Sequence, residues 1–168
     1  MKSAIGCFVA FISVFYIIGF AILGSAIRST WRSTVAAHWP TTQGSVTDLD
    51  LKEHPDSDAT TYGVHVRYAY TVDGVAHEGS RLAFGYGASS GRRQHDEIYQ
   101  KLKRAKTVSV RYNPANPKMS CLSYGMNNSI WFKLIFSMIW LGFCVGFTWI
   151  MWLFSGSDDV LLKNLLVQ

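Results

Sequence analysis

Two long segments without a charged side chain constrain this 168-residue sequence more than any other feature. The first runs from Ala4 to Ile27 and the second from Leu134 to Phe154. A helix needs about 20 apolar residues to cross the hydrocarbon core of a bilayer, which is about 30 Å thick. Both segments reach that length, so the sequence predicts two transmembrane helices, at residues 4–27 and 130–154.

A cleaved signal peptide is the alternative interpretation of the first segment. Lys2 precedes it, and the small residues Gly24-Ser25-Ala26 near its end would suit cleavage. The apolar core of a signal peptide has about 7–15 residues, and this run is longer, which favours a retained helix. The second segment has Trp131 at one end and Trp152 near the other, as in the aromatic belts of transmembrane helices.

Between these segments, residues 28–129 predict a small soluble domain rich in β-strands. From Tyr62 to Val72 every even position carries a large apolar or aromatic side chain, and the odd positions are small, polar or charged. Such alternation is typical of a strand with one buried face. The following Asp73-Gly74 predicts a two-residue type I′ turn, which would pair Tyr70 with His77.

Shorter patterns complete the predicted domain. Residues 45–52 predict a strand with Thr47, Leu49 and Leu51 on one face, residues 93–105 a helix, and residues 107–112 a further strand. The prolines of 113–117 are expected to stop that strand, because each lacks a hydrogen-bond donor. The predicted fold class is a membrane protein of α+β type: two transmembrane helices flanking a small antiparallel β-rich domain with one short helix, followed by a short tail at 155–168.

Several motifs follow one another in a fixed order along the chain. These are an apolar helix, Trp-Pro-x-x-x-Gly-x-Val, Tyr-x-Tyr-x-Val-Asp-Gly, a valine-rich strand that ends in Tyr-Asn-Pro-x-Asn-Pro, and a second apolar helix. The residues concerned are Trp39, Pro40, Gly44, Val46, Tyr68, Tyr70, Val72, Asp73, Gly74, Val108, Val110, Tyr112, Asn113, Pro114, Asn116 and Pro117. This order resembles the bacterial domain-of-unknown-function family 3592.

The resemblance implies a β-rich soluble domain between two membrane helices and no established catalysis. The sequence departs from the family pattern at two places. Lys106-Thr107 stand where members often carry a glycine, and the segment after the double proline is less typical.

No group of residues predicts catalysis, a cofactor or a metal site. The run Gly87-Ala88-Ser89-Ser90-Gly91 fits Gly-x-Ser-x-Gly, but a nucleophile elbow needs an acid and then a histidine further along the chain. The last histidine is His95, only six residues beyond Ser89. His65 and His77 fall on opposite faces of the predicted hairpin, so the histidines are interpreted as scattered surface residues.

A cluster of basic residues lies in and around the predicted helix: Arg92, Arg93, Lys101, Lys103, Arg104, Lys106 and Arg111. Arg92, Arg93, Lys101 and Arg104 are the candidate contact residues. A tethered domain argues against nucleic acid as the partner and favours anionic lipid headgroups or an acidic protein surface. A plain solvated helix face is the alternative.

The second apolar segment contains a Gly-x-x-x-Gly motif, Gly142 and Gly146, which permits close approach of two helices. The expected partner is the first apolar segment of the same chain, which carries Gly6 and Gly19. A homodimer through Gly142 and Gly146 is the alternative.

The sequence therefore predicts a non-enzymatic interaction protein of the bacterial inner membrane. Its most specific form is an immunity protein that protects against a membrane-acting secreted toxin, and the alternative is an envelope structural or assembly subunit. The positive-inside rule mildly favours a cytoplasmic loop but weakens for loops beyond about 60 residues. The family resemblance and the short amino-terminal arm favour a periplasmic domain.

Overall fold

The computed structural model describes residues 2–56 and 59–155. Two compact units divide the described residues: a helix unit of residues 2–25 and 133–155, and a sheet unit of residues 26–56 and 59–132. The tail predicted at 155–168 lies outside the described residues beyond Ser155. The boundaries predicted for the domains stay predictions.

Three helices and five strands make up the described part of the chain. They are α1 (Lys2–Ala36), β1 (Thr41–Pro55), β2 (Thr60–Val72), β3 (Val75–Gly79), α2 (Arg92–Arg104), β4 (Val108–Asn113), β5 (Asn116–Cys121) and α3 (Asn128–Ser155). The predicted α+β class is confirmed, and along the chain an apolar helix precedes the antiparallel sheet and another follows it. However, α1 continues to Ala36, beyond the predicted end of the first helix at Ile27, because Gly and Pro are absent from there until Pro40.

The sheet has the strand order β3-β2-β1-β4-β5, and every pairing is antiparallel. The hairpin of β2 and β3 has the predicted register, with Tyr70 opposite His77. Its turn residues Asp73 and Gly74 have φ of 50° and 79°, the positive values that a type I′ turn requires.

A bulge in β1 overturns one prediction about its buried face. The register against β2 shifts between Val46 and Asp48, so that Thr47 is the extra residue. An extra residue moves every later side chain to the opposite face. Thr47 is therefore exposed, while Leu49 and Leu51 are partly buried, and the prediction that Thr47 shares their face is wrong.

The double-proline segment stops the preceding strand as predicted, since β4 ends at Asn113. It turns the chain from β4 into β5, with Asn113 opposite Asn116 and the Asn113 Oδ1 accepting a 3.0 Å hydrogen bond from the Ala115 N–H. Pro117 then lies within β5. An edge strand tolerates proline because a missing donor on its outer side leaves no partner unsatisfied.

The two outer strands of the sheet come together beyond their ends. The Leu122 N–H donates to the carbonyls of Arg81 and Leu82 at 3.3 and 3.1 Å, and the Ser123 N–H donates to Leu82 at 2.7 Å. At Gly79 a Cβ would overlap the Tyr68 ring and the Ser120 Oγ, so only glycine allows this approach. The sheet is therefore curled almost into a closed barrel.

The core of the sheet unit contains the even positions of β2 and the valines of β4. Its buried residues are Val66, Tyr68, Tyr70, Val72, Val108 and Val110, and Leu102 of α2 packs against them. Tyr68 Oη lies 3.0 Å from Ser120 Oγ and donates to the Arg81 carbonyl at 3.1 Å, while Tyr70 donates to the Pro117 carbonyl. Burial raises the pKa of Tyr68 to about 12. The period-two stripe is thus confirmed as core.

In the helix unit, α1 and α3 pack through one face of each helix. Gly19 faces Trp140 and Leu141, and the Trp140 indole N–H donates to the Phe15 carbonyl at 3.0 Å. Gly142 and Gly146 do not take part, because a Cβ at either would meet nothing within 4 Å. The structure therefore places these glycines away from α1, and their contact with another chain stays a prediction.

Candidate functional site

Helix α2 is held against the sheet at both of its ends. Leu102 packs into the core near its carboxyl end. Near its amino end the Arg92 Nη2 lies 3.4 Å from the Glu53 Oε1, and its guanidinium carbon lies 5.4 Å from the centre of the Tyr62 ring. Arg92, a predicted contact residue, is thus already bound to the sheet, although its side chain is well exposed.

The other predicted contact residues separate into two groups. Arg93 pairs with Glu97 at 3.6 Å along the exposed side of α2. Lys101 and Arg104 lie in the last turn of α2, where no acidic residue follows Glu97 before Val108. Positive charges at this end also interact favourably with the helix dipole. The exposed residues Lys101, Lys103, Arg104 and Lys106 are called the basic end.

Arg111, counted in the basic cluster from the sequence, has a structural role. Its Nη1 donates to the carbonyls of Ala37 and Trp39 at 2.9 and 3.0 Å, just beyond the end of α1. Its guanidinium also stacks on Tyr124, 4.2 Å from the ring centre. Arg111 therefore supplies hydrogen-bond donors to backbone carbonyls of the segment that links α1 to β1.

His95 is buried, at 4% exposure, which overturns its interpretation as a surface residue. Its Nδ1 lies 2.7 Å from the Tyr86 hydroxyl and its Nε2 lies 2.8 Å from Ser89 Oγ. Ser89 is the serine of the Gly-x-Ser-x-Gly run, which the sequence analysis set aside. The sequence signal for this contact was the short spacing between Ser89 and His95 across the start of α2.

The partners of these hydrogen bonds define a network of side chains. The Tyr86 hydroxyl accepts from the Val64 N–H at 3.0 Å and has both a lone pair and a hydrogen left for His95 Nδ1. The two nitrogens of the neutral imidazole take opposite roles, so His95 donates to one of Tyr86 and Ser89 and accepts from the other. A serine–histidine–acid triad has a carboxylate behind the ring, and here a tyrosine hydroxyl occupies that position.

Burial affects the titration of both partners in this network. Desolvation lowers the pKa of His95 and raises the pKa of Tyr86, which keeps both groups neutral near pH 7. The network thus joins β2, the loop of residues 80–91 and α2 by neutral hydrogen bonds.

A cleft of about 910 Å³ lies beside this network, within the sheet unit. Its walls are β1, the first half of β2, and the loop of residues 80–88. The charged residues in its lining are Asp48, Asp50, Lys52, Arg67 and Arg81. Its volume is within the range of about 300–1,000 Å³ that ligand sites occupy.

Within residues 2–56 and 59–155, no three histidine, cysteine or acidic side chains are placed to hold one metal ion. Cys121 is a buried free thiol, and burial raises its pKa to about 11. A thiol with so high a pKa is unreactive near neutral pH.

These features define a class of protein: a small curled antiparallel sheet carried between two long apolar helices. The model of the family described as "Domain of unknown function (DUF3592)" matches residues 42–127, just over half of the sequence. The chain belongs to this family, as its motif order indicated. No curated protein and no solved structure gives a match.

Proposed function

We propose that this chain is a non-enzymatic membrane-anchored protein whose sheet unit binds another molecule at the membrane surface. The observation that carries the proposal is the exposure of two apolar helical stretches, Phe8–Ala36 and Asn128–Phe154. Only 11% of the most apolar window of each is buried within the chain. In water, exposed apolar surface costs about 25 cal/mol per Å², so a lipid environment is the natural cover.

The basic end of α2 supports binding of a negatively charged surface. Four cations are exposed there, of which Lys103 lies 5.6 Å from the centre of the Tyr99 ring, whereas Arg92 and Arg93 have acidic partners. Anionic lipid headgroups attract each such charge by about 1 kcal/mol near the membrane. An acidic protein surface has the same complementarity, and nucleic acid is not expected at this location.

The most specific form of the proposal is an immunity protein of the bacterial inner membrane, with the sheet unit in the periplasm. A tether raises the effective concentration of a binding domain to about the millimolar range. Such a domain would meet a membrane-acting toxin as it reaches the lipid. No cofactor is needed for this role.

An envelope structural or assembly subunit is the second candidate. It is favoured by Gly142 and Gly146, since the space over both glycines is open in the helix unit. A second copy of α3 could approach closely there.

Membrane fractionation tests the anchoring. We expect the full-length protein to sediment with membranes, to resist alkaline carbonate and to be released by detergent. Recovery in the soluble fraction without detergent would refute the proposal.

A toxin challenge tests the immunity role. Expression of a toxin gene adjacent to this gene should depolarise cells that lack the protein, and deletion of the toxin should make loss of the protein harmless. The double variant Lys101→Glu/Arg104→Glu should protect poorly, whereas Arg93→Glu should protect normally. Harm from loss of the protein in the absence of any toxin would favour the structural role.

A further inference from the structure

Strand β1 is covered on one side along its length and on the other side only at its start. Strand β2 pairs with β1 from Gly44 to Pro55, whereas β4 pairs only with residues 41–44. Among the described residues, no strand pairs with residues 45–55 on the β4 side. This side of residues 45–55 is called the free edge of β1.

The pairing of β2 shows which backbone groups of β1 point to the free edge. Tyr62 exchanges two backbone hydrogen bonds with Ser89, of 2.8 and 3.0 Å, so the even residues of β2 direct their polar groups away from β1. Leu51 lies opposite Val64, one of these even residues, and therefore directs its own N–H and C=O to the free edge. The residues two positions before and after Leu51 do the same.

The free edge is accessible to solvent. Asp48, Asp50 and residues 52–55 are exposed, and Leu49 and Leu51 are only partly buried. Within the part of the chain that the structure describes, no hydrogen bond reaches the outward backbone groups of this segment. A strand edge with unpaired N–H and C=O groups can pair with a strand of another chain.

The side chains of the free edge are complementary to those of a second copy. If two copies pair antiparallel with Leu51 opposite Leu51, then Asp50 of each copy lies opposite Lys52 of the other. In the same register Asp48 lies opposite His54. Charges on an edge usually hinder pairing, but opposite charges that face each other across two strands favour it.

Neighbouring registers lack this complementarity. Centring the pair on Asp50, Lys52 or Glu53 would set that charged residue against its own copy. Centring it on Leu49 would set Asp48 against Asp50. Like charges directly opposite each other are unfavourable, so the charges select one register among those centred on residues 49–53.

We propose that two copies of this chain pair through the free edge of β1 in the register centred on Leu51, which joins their sheets. The contact uses the same strand of both copies, so it is closed after two copies and does not propagate. Anchoring of both copies in one membrane, as proposed above, would raise their effective concentration. The complementarity of the strands does not depend on that anchoring, and the inference goes beyond the proposed function by adding a second copy as a partner.

Disulfides at defined positions test this contact in membranes of cells that express two full-length variants with different affinity tags. One copy carries Asp48→Cys and the other carries His54→Cys. In the proposed register these positions face each other with Cα atoms about 4.5 Å apart, within the reach of a disulfide. Position 48 lies six residues, or about 20 Å, from position 48 of the second copy. Asp48→Cys expressed alone is therefore the matched control.

Under mild oxidation, the mixed pair should give at least about tenfold more disulfide-linked dimer than Asp48→Cys alone, because only the mixed pair meets the distance limit. The unchanged chain gives the background from its native cysteines. Lys52→Asp in both copies should lower the yield about tenfold, because it sets like charges opposite each other. The exchange Asp50→Lys/Lys52→Asp should restore the yield, and Arg93→Glu should leave it unchanged.

Equal yields from the mixed pair and from Asp48→Cys alone would overturn the inference, because they would indicate random collision. A yield that Lys52→Asp does not lower would overturn the register. Loss of the disulfide when Gly142 and Gly146 are both replaced by isoleucine would overturn the inference in favour of pairing through α3. A membrane-bound chain without the disulfide keeps the proposed anchoring and loses the strand pairing, whereas a chain recovered without detergent that forms the disulfide keeps the pairing and loses the anchoring.

Discussion

The two ends of β2 share one alternating sequence pattern but have different surroundings. From Tyr68 to Val72 the strand is covered by β3, and the Tyr68 and Tyr70 hydroxyls reach the segments that close the sheet. From Tyr62 to Val66 the edge is held by a single bridge and one tyrosine hydroxyl. Side chains of both ends are buried in the core, but the closed end is fixed by strand pairing and the open end by fewer main-chain hydrogen bonds.

The largest expected effect is at the closed end. Tyr68→Ala and Tyr70→Ala should each lower the free energy of unfolding by about 3–5 kcal/mol, because each removes a buried ring and leaves a cavity. Urea unfolding of the full-length protein in detergent micelles measures this loss. Thr71→Ala, at an exposed position of the same strand, is the control and should change stability little.

A smaller loss of stability is expected from overpacking at Gly79, near the closure between the outer strands. Gly79→Ala places a Cβ against the Tyr68 ring and Ser120, and such overpacking costs about 1–3 kcal/mol. Gly87→Ala is the matched control on the loop, since a Cβ there meets nothing within 4 Å. Equal melting temperatures for the two variants would show that the closed end is looser than described.

At the open end, His95→Ala should cost about 1–3 kcal/mol, because it leaves the hydroxyls of Tyr86 and Ser89 without their shared partner. It should also speed hydrogen exchange of the Val64 amide more than that of the Tyr70 amide. Equal changes at both amides would mean that the two ends unfold together.

Opposite pH dependences should separate the two ends. The folded pKa of His95 lies below its ordinary 6.5, so its contribution to stability is present above pH 6.5 and is lost as the pH falls. The pKa of Tyr68 rises from 10.0 to about 12, so its contribution is present below pH 10 and is lost as the pH rises towards 12. Acid should therefore lower the protection factor of the Val64 amide first, and alkali that of the Tyr70 amide, each measured against the intrinsic exchange rate at the same pH; the reverse order would contradict both assignments.

The smallest effect is expected for the surface pair of Arg92 and Glu53. Arg92→Ala should change stability by about 0–1 kcal/mol, since both side chains are well exposed to solvent. Thermal unfolding of Arg92→Ala is compared with that of Arg93→Ala. A loss of stability above about 2 kcal/mol in Arg92→Ala would show that the contact of Arg92 with the Tyr62 ring contributes more than its ion pair with Glu53.

The sequence was sufficient to predict the structure where a local pattern of residues determines it. The stripe of β2 and the turn at Asp73-Gly74 depend on alternation and on positive φ, which neighbouring residues reveal. The bulge at Thr47 was not predictable, because its register depends on which residues of β2 face β1. The burial of His95 and the cleft depend on contacts among loop, strand and helix, which a one-dimensional pattern does not contain.

The near closure of the sheet has a consequence for the behaviour of many copies together. Exposed strand edges are templates on which identical chains polymerise into fibrils. In this protein the bonds from Leu122 and Ser123 to residues 81–82 join the chain just beyond the two outer strands. They hold the ends of these strands close together, which hinders access of a second copy in a crowded area of membrane. Disruption of this closure should therefore promote insoluble aggregates before it abolishes membrane insertion.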